Sequence, residues 1–277
     1  MEKNLKEKLS DYIKKETGYL EELKVGNIFS EAGWDVRHSS YYLDRDEEKG
    51  REIDISARKY TVFKLNSGKE GYIELRLVCE VKKSANKHWV IFSTKKSRYE
   101  DWFGYSLYHE EGMKNILKQK IKWWNVGRSS SIKNFSRIGI TYCEAFKDNI
   151  QKRGGDYSQI FKALTSSIKA SEYFFSMRQD NHLVDYLPDT LYFDYIEFIE
   201  PVVIFNGLMY EAYLNKKNEL ELNEINHIPV LFNRVSPKYK RNNYIIDVVT
   251  IKELPNLLTS KEKWINTIKD KIQEIQE

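Results

Sequence analysis

The sequence is poor in the residues that hold small or metal-dependent folds together. Its two cysteines, Cys79 and Cys143, form no C-x-x-C pair and lie in apolar runs. Buried free thiols are the simplest interpretation of such cysteines, and a chain without disulfides is typical of a reducing cytoplasm. The five histidines are scattered, with no pair at metal-ligand spacing. The sequence therefore gives no sign of a histidine-held zinc site.

Long apolar runs are also absent. No stretch is long enough to span a bilayer, and the first residues, Met1 to Lys6, lack the apolar segment of a signal peptide. No glycine-rich phosphate loop is followed by a lysine, so the use of ATP is not indicated. We therefore expect a cytoplasmic protein without a membrane partner.

The chain has little excess of one charge, with a formal net charge of only +4. A protein that binds nucleic acid through charge alone usually has a clearer basic excess or patch, so the composition is weak evidence for such binding. By contrast, 41% hydrophobic and 14% aromatic residues among 277 are enough for a large core. No repeat, low-complexity segment or Pro/Gly linker divides the chain, which favours one compact α/β unit.

Helices and then strands are predicted in the first third of the chain. A helix is expected over about 17–32, with Gly33 as its stop. Strands are expected over 36–43, 52–65 and 72–82. The last two are separated by Asn66-Ser67-Gly68, a turn signal that predicts a hairpin.

The rest of the chain alternates between predicted strands and helices. The expected strands are 89–92, 138–143, 201–205, 209–214, 228–232 and 244–251, and the expected helices are 112–124, 157–175 and 260–276. We expect 209–214 to form a hairpin with 201–205 through Asn206-Gly207. The last helix is expected to begin with Ser260 as its N-cap.

Three charged residues stand out because they interrupt strands otherwise suited to a core. Asp54 lies between Ile53 and Ile55, and Glu80 and Lys82 flank Val81. Side chains two apart on a strand share a face, so Glu80 and Lys82 point the same way. The turn near residue 68 lies close to the midpoint of 54 and 80, which would place Asp54 beside Glu80. Burying these charges is costly unless something compensates them.

A divalent cation and a phosphate would compensate this cluster. Mg²⁺ prefers carboxylate oxygens, backbone carbonyls and water, which Asp54, Glu80 and the carbonyl of Val81 could supply. Such a metal, Mg²⁺ or Mn²⁺, would activate a water and neutralise charge on a scissile phosphate. Lys82 would orient or deprotonate the water and stabilise the developing negative charge.

Asp54 with Glu80-Val81-Lys82 resembles the PD-(D/E)xK nuclease superfamily, which has the restriction-endonuclease-like fold. The residue before Asp54 is Ile53, so the proline of the motif's name is missing. The resemblance extends upstream to a helix carrying an acidic residue. Both Glu21 and Glu22 are candidates, and we favour Glu22, which would share a helix face with Phe29.

The resemblance implies a central mixed β-sheet flanked by helices, in a single nuclease-fold domain over 1–277. Its core would comprise 17–88 and 157–206, with a parallel crossover through the helix at 157–175. Residues 89–156 would be an insertion, and 207–277 would add a β-hairpin, strands and a C-terminal helix.

The same resemblance implies a Mg²⁺-dependent endonuclease acting on DNA rather than RNA, in restriction or anti-phage defence. A homodimer is the default expectation, and a partner protein of a defence system could gate the activity. The alternative from another class is a non-catalytic module of the same fold that binds nucleic acid or a protein.

Overall fold

A computed structural model describes most of the chain. The described residues are 4–65, 68, 70–84, 86–96, 106–109, 113, 135–146, 158–180, 194–239 and 241–276. Four helices occur among them: α1 (Leu5–Glu16), α2 (Tyr19–Glu31), α3 (Gln159–Asp180) and α4 (Leu254–Gln276). The strands are β1 (Asp35–Asp44), β2 (Lys49–Lys64), β3 (Glu70–Lys83), β4 (Lys87–Lys95), β5 (Ser106–His109), β6 (Arg137–Phe146), β7 (Asp194–Asn206), β8 (Met209–Leu214), β9 (Leu220–Ile225), β10 (His227–Asn233) and β11 (Asn243–Thr250).

All eleven strands form one mixed sheet, so the predicted α/β class with a central mixed sheet and flanking helices is confirmed. The order across the sheet is β1-β2-β3-β7-β11-β10-β6-β4-β8-β9, with β5 paired to β7. Strands β1, β2 and β3 are antiparallel, and β3 then runs parallel to β7. In the described part of the chain, no helix has the length and apolar character needed to cross a membrane.

The helices cover the two faces of the sheet with separate apolar cores. Helices α2 and α4 pack on one face, where Phe29, Trp264 and Ile268 join strand residues in the largest buried cluster. Helix α3 covers the other face through residues such as Leu164 and Ile168. Burial on both sides explains why β7 contains the continuous apolar run 201–205 and why β11 carries apolar residues on both of its faces.

The predicted hairpin between β2 and β3 forms as expected. Its turn contains Gly68 in the left-handed region, at φ +79°, where the Gly68 amide donates to the Leu65 carbonyl at 2.9 Å. Glycine adopts this backbone conformation without the steric cost that a side chain brings. The ladder then runs without interruption from Lys64–Glu70 to Ile55–Cys79, which fixes the register at the site.

Strand β8 does not pair with β7, so the predicted hairpin through Asn206-Gly207 is wrong. Strand β3 lies along one edge of β7, and β5 and β11 share the other. With both edges taken, the chain turns at Gly207 and β8 pairs instead with β4 and β9. A Cβ at Gly207 would lie 2.5 Å from the Phe205 ring and 2.8 Å from the Ser84 carbonyl, so this crossing requires glycine.

The C-terminal helix begins earlier than predicted. Helix α4 starts at Leu254, six residues before the expected cap Ser260. Its first turn is tolerant of Pro255, whose missing amide would have no partner inside the helix. The carbonyl of Glu253 accepts hydrogen bonds from Asn256 and Leu257 instead.

The segment 89–156, expected to be an insertion, supplies three strands to the same sheet. The predicted strands at 89–92 and 138–143 are present as the longer β4 and β6, which pair with each other. The short β5 was not predicted. The predicted helix over 112–124 lies outside the described residues, apart from Met113.

Candidate functional site

The three charged residues meet where the sheet opens between β2 and β3. The β2–β3 ladder ends at the pair Ile55–Cys79, so Asp54 and Glu80 occupy the next position, where strand pairing has stopped. In place of a backbone partner, the Val81 amide donates a hydrogen bond to Asp54 Oδ2 at 2.7 Å. The predicted proximity of Asp54 to Glu80 is therefore present in the structure.

The β1–β2 ladder is also interrupted at Asp54. Its register passes from His38–Ile55 to Ser40–Ile53 and omits the position at which Ser39 would face Asp54. Ser39 has φ +48°, a left-handed conformation that is uncommon and costly for a residue with a Cβ. Strain of this kind tends to occur at functional sites. No local pattern in the sequence predicts this strain.

The Lys82 ammonium contacts all three acceptors of the site. Its Nζ lies 3.2 Å from Asp54 Oδ2 and 3.1 Å from the Val81 carbonyl oxygen, and it forms an ion pair with Glu80. These are the same three groups that the sequence predicts as metal ligands. A single cationic point is therefore already contacted by two carboxylates and one backbone carbonyl.

The protonation of this cluster reflects burial and mutual charge. Burial raises the pKa of Glu80 to about 7; Lys82 opposes the shift, while Asp54 and Glu22 add to it. Burial lowers the pKa of Lys82, but the charges of Glu80 and Asp54 outweigh it and leave the pKa above its ordinary value. Lys82 is thus held as an ammonium ion in this arrangement, a form that stabilises negative charge and cannot accept a proton.

The two glutamates of α2 have different surroundings. Glu22 faces the site: burial raises its pKa, and the negative charge of Asp54 raises it further. Glu21 is buried on another side of the helix, where its Oε1 lies 3.3 Å from Asn206 Nδ2 and 3.5 Å from Lys83 Nζ. Of the two predicted candidates, Glu22 is the one that the structure brings to Asp54.

Close packing between α2 and β1 sets the position of Glu22. Gly26 follows Glu22 by four residues and therefore lies on the same helix face. A Cβ at Gly26 would lie 2.4 Å from the His38 ring, so the absence of a side chain lets the helix approach the strand. Trp34, between α2 and β1, ties this part of the chain to α4, because its indole N–H donates to Glu262 at 2.9 Å.

An open cleft of about 430 Å³ leads to the cluster. It is lined by Thr17, Gly18, Tyr19, Glu22, Ser39, Glu52 and Asp54. Three of these residues are carboxylates, and three others carry hydroxyl groups, of which that of Thr17 already donates to the Ile13 carbonyl at 2.8 Å. The cleft thus combines acidic groups with neutral donors. Glu52 shares the strand face of Asp54, whereas the contributions of Thr17 and Tyr19 could not be deduced from local patterns.

Residues just beyond the cluster have structural partners. Lys83 Nζ donates to the Lys14 carbonyl at 2.5 Å, and Ser84 Oγ accepts from the Lys87 amide at 2.8 Å. Neither contact suggests a phosphate ligand. Trp102, Trp123 and Trp124, which could stack on bases, lie outside the described residues.

The donor set for a metal is small. Within the described part of the chain, no three His, Cys, Asp or Glu side chains are arranged to hold a metal ion. Asp54, Glu80 and the Val81 carbonyl offer two carboxylates and one carbonyl, which are hard oxygen donors of the kind that Mg²⁺ prefers. Mg²⁺ also keeps several waters in its shell, so a set of this size fits it, provided that Lys82 shifts.

Comparisons with protein-family models, with curated proteins and with solved structures give no match to this chain.

Proposed function

We propose that this protein is a Mg²⁺- or Mn²⁺-dependent nuclease that hydrolyses phosphodiester bonds. The observation that carries the proposal is the convergence of Asp54, Glu80 and Lys82 at the opening between β2 and β3. DNA in preference to RNA, a cytoplasmic setting, a role in restriction or anti-phage defence and a homodimer belong to the same proposal, and rest on the resemblance to the PD-(D/E)xK superfamily.

Each residue of the cluster has a role in this proposal. Asp54, Glu80 and the Val81 carbonyl hold the cation, which when bound supplies Lewis-acid chemistry to the attacking water and the scissile phosphate. Lys82 orients the water and stabilises negative charge that develops on the phosphate oxygens. Glu22 lies across the cleft, where burial and the charge of Asp54 raise its pKa above the ordinary value, so that it takes up a proton more readily than an exposed carboxylate.

Cleavage assays test the site directly. Plasmid, single-stranded DNA and RNA are incubated with Mg²⁺ and the wild-type chain, Asp54→Asn or Lys82→Ala. We expect the wild type to cut DNA and each variant to lose at least about 100-fold in rate. The matched control is Asp35→Asn, which removes an exposed carboxylate paired with Arg58 on the adjacent strand. Equal rates in wild type, Asp54→Asn and Lys82→Ala would reject the assignment.

The helical acid is tested by a matched pair. Glu22→Gln should lower the cleavage rate with little change in stability, because Glu22 is only partly buried at the cleft. Glu21→Gln should lower the melting temperature, because its buried carboxylate contacts Asn206 and Lys83. The reverse pattern would make Glu21 the helical acid.

A second function is favoured by one specific observation. Lys82 already forms ion pairs with both carboxylates, an arrangement that a non-catalytic module binding nucleic acid or protein could keep as a structural cluster. Metal-dependent thermal stabilisation separates the two functions, because only a ligand of the folded state raises its stability. A module of this kind would bind DNA with no effect of Mg²⁺ on either affinity or melting.

A further inference from the structure

A second open space, the side depression, adjoins the cleft. It has a volume of about 370 Å³ and is lined by Tyr41, Tyr42, Lys49, Gly50, Arg51, Glu52 and Ser166. Glu52 also lines the cleft that leads to Asp54, so the two spaces meet at this side chain. Burial raises the pKa of Tyr42 and the charge of Glu80 adds to the shift, which places this wall of the side depression near Glu80. The candidate site therefore lies where the two spaces meet.

Each of the two spaces contains one exposed tyrosine. Tyr19, the first residue of α2, lines the cleft and is 66% exposed, and Tyr41 of β1 lines the side depression and is 68% exposed. Neither ring packs against another aromatic ring among the described residues. The candidate site thus has a flat apolar ring open to solvent on each of its sides.

The ring of Tyr41 is held in place by its neighbour on β2. Tyr41 pairs with Glu52 across the β1–β2 ladder, so the two side chains point to the same side of the sheet. The tyrosine hydroxyl donates a hydrogen bond to the Glu52 carboxylate. This bond restricts the ring and leaves its face open, which reduces the entropy lost when a flat group stacks on it.

The two spaces differ in charge. The cleft contains the carboxylates of Glu22, Glu52 and Asp54, which repel a phosphate unless a cation is bound. The side depression contains Lys49 and Arg51 besides Glu52. Arg51 is paired within the β1–β2 turn, and the acidic residues of that turn, 44 and 46–48, all pair with arginine or lysine. Lys49 is exposed and forms no ion pair with a described residue, so a phosphate can reach it.

We propose that the protein binds an unpaired DNA strand across the site, with one base stacked on Tyr19, one base on Tyr41 and a phosphate on Lys49. Stacking on a side chain uses the face of a base, which the neighbouring base pairs cover in a duplex. Every base has such a face, so binding is tolerant of sequence. This inference rests on the proposed function, because a scissile phosphate at the cation is what brings the adjacent nucleotides to the two spaces.

Binding to the full chain tests the preference for an unpaired strand. The probes are a labelled oligodeoxythymidine of about 12 nucleotides and the same strand paired with oligodeoxyadenosine, and binding is followed by fluorescence anisotropy. Ca²⁺ replaces Mg²⁺ because it also takes oxygen ligands, and gels check that the probes stay intact. We expect the single strand to bind at least about tenfold more tightly than the duplex.

Tyrosine variants locate the binding. Tyr19→Ala and Tyr41→Ala should each weaken binding of the single strand about tenfold, because each removes one stacking surface. Tyr41→Phe keeps the ring and should retain most of the affinity. The matched control is Tyr60→Ala, which removes a 64% exposed tyrosine of β2 that lines neither space and should leave the affinity unchanged.

A lysine pair tests the phosphate contact. Lys49 and Lys64 are the first and last residues of β2, and both are exposed. Lys49→Ala should weaken binding and reduce the slope of log affinity against log salt by about 0.7, whereas Lys64→Ala should change neither. Circular dichroism melting confirms that each variant is folded.

Cleavage separates this inference from the proposed function. If the wild type cuts DNA and Asp54→Asn does not, but both tyrosine-to-alanine variants bind like the wild type, the proposed function stands and the inference is overturned. Tighter binding of the duplex, or binding of neither probe, overturns it as well. If the single strand binds through the two tyrosines and is not cut with Mg²⁺, the binding surface is supported and the nuclease is rejected.

Discussion

Two clusters of this molecule have the same composition and opposite surroundings. Each contains one lysine, one aspartate and one glutamate: Lys82 with Asp54 and Glu80 at the cleft, and Lys261 with Asp247 and Glu200 in the core. Lys261 Nζ lies 2.7 Å from Asp247 Oδ2 and also pairs with Glu200. The Lys261 side chain is 0% exposed, against 23% for Lys82.

The difference shows that charge pairing alone does not mark a functional site. In the core, Asp247 also contacts the His227 ring at 2.9 Å, and α4 seals the cluster from solvent. At the cleft, the sheet is open and a carboxylate from α2 stands opposite. A ligand can reach the cleft cluster but not the core cluster. The core cluster instead fixes α4 on the sheet.

Removal of each lysine should have very different effects on stability. Lys261→Met leaves Glu200 and Asp247 buried without a counter-charge, and we expect a loss of about 3–5 kcal/mol in the free energy of unfolding. Lys82→Met should cost less, about 1–3 kcal/mol, because Glu80 stays buried but water can reach Asp54 from the cleft. Urea denaturation measures both.

The control for this pair is Lys263→Met, which removes an exposed charge from the same helix as Lys261. It should change stability by less than about 0.5 kcal/mol. A loss for Lys82→Met as large as that for Lys261→Met would mean that the cleft cluster is structural.

Metal should stabilise the molecule through one cluster only. At a hundredfold excess over its Kd, Mg²⁺ or Mn²⁺ should add about 2.7 kcal/mol to the stability of the wild type. Differential scanning fluorimetry should show this rise in melting temperature for wild type and for Asp35→Asn, and should not show it for Asp54→Asn. A rise that survives in Asp54→Asn would place the metal elsewhere.

Both clusters should contribute to the pH dependence of stability, through Glu80 and Glu200. Burial raises the pKa of Glu80 and of Glu200 to about 7, from an ordinary value of 4.5. The folded state then binds protons that the unfolded state releases, so stability falls as the pH rises from about 4.5 to 7. Below this window, both states are protonated and the stability is fully present.

Single substitutions measure how much each cluster contributes to the pH dependence of stability. Glu200→Gln and Glu80→Gln should each flatten part of the fall in thermal denaturation between pH 4.5 and 7. Saturating Mg²⁺ should remove the contribution of Glu80 and leave that of Glu200. If Mg²⁺ alters both or neither, the distinction between the clusters fails.

The smallest expected effect concerns backbone strain at the cleft. Ser39 is left-handed, a conformation that costs about 1–2 kcal/mol for a residue with a side chain, while glycine brings an entropic cost of about 0.5–1 kcal/mol. Ser39→Gly should therefore stabilise the chain by roughly 0.5–1 kcal/mol. Ser40→Gly, at a regular position of β1, should destabilise it, and equal effects of the two would contradict a strained Ser39.

The cleft cluster was predictable because its geometry follows from local rules. The turn at Gly68 and the two-residue period of strands suffice to place Asp54 beside Glu80. The left-handed conformation of Ser39 was not predictable, since it depends on tertiary packing such as the contact of His38 in β1 with Gly26 in α2. Between Glu21 and Glu22, helix periodicity allowed both, and only the packing of α2 brings Glu22 to Asp54.

The sequence does contain an indication of the core cluster, although the predicted start of the last helix hides it. Lys261 precedes Trp264 and Ile265 by three and four residues, so it falls on the apolar face of α4. With Ser260 as the predicted N-cap, Lys261 would be the first residue of the helix, before its apolar pattern begins. The pairing of β8 was unpredictable for another reason: sequence neighbours usually pair, but both edges of β7 were occupied by distant strands.

The long pairing of β3 with β7 has a consequence for the order in which the molecule can fold. Val81 pairs with Ile204, which is made 123 residues later. During synthesis, the hairpin that carries Asp54 and Glu80 can form early, but the edge of β3 remains unpaired, and its apolar faces only partly covered, until α3, β7 and α4 emerge. The residues of the cleft are thus encoded within the first third of the chain, yet a fragment ending there would lack the strand and the helix that bury its core.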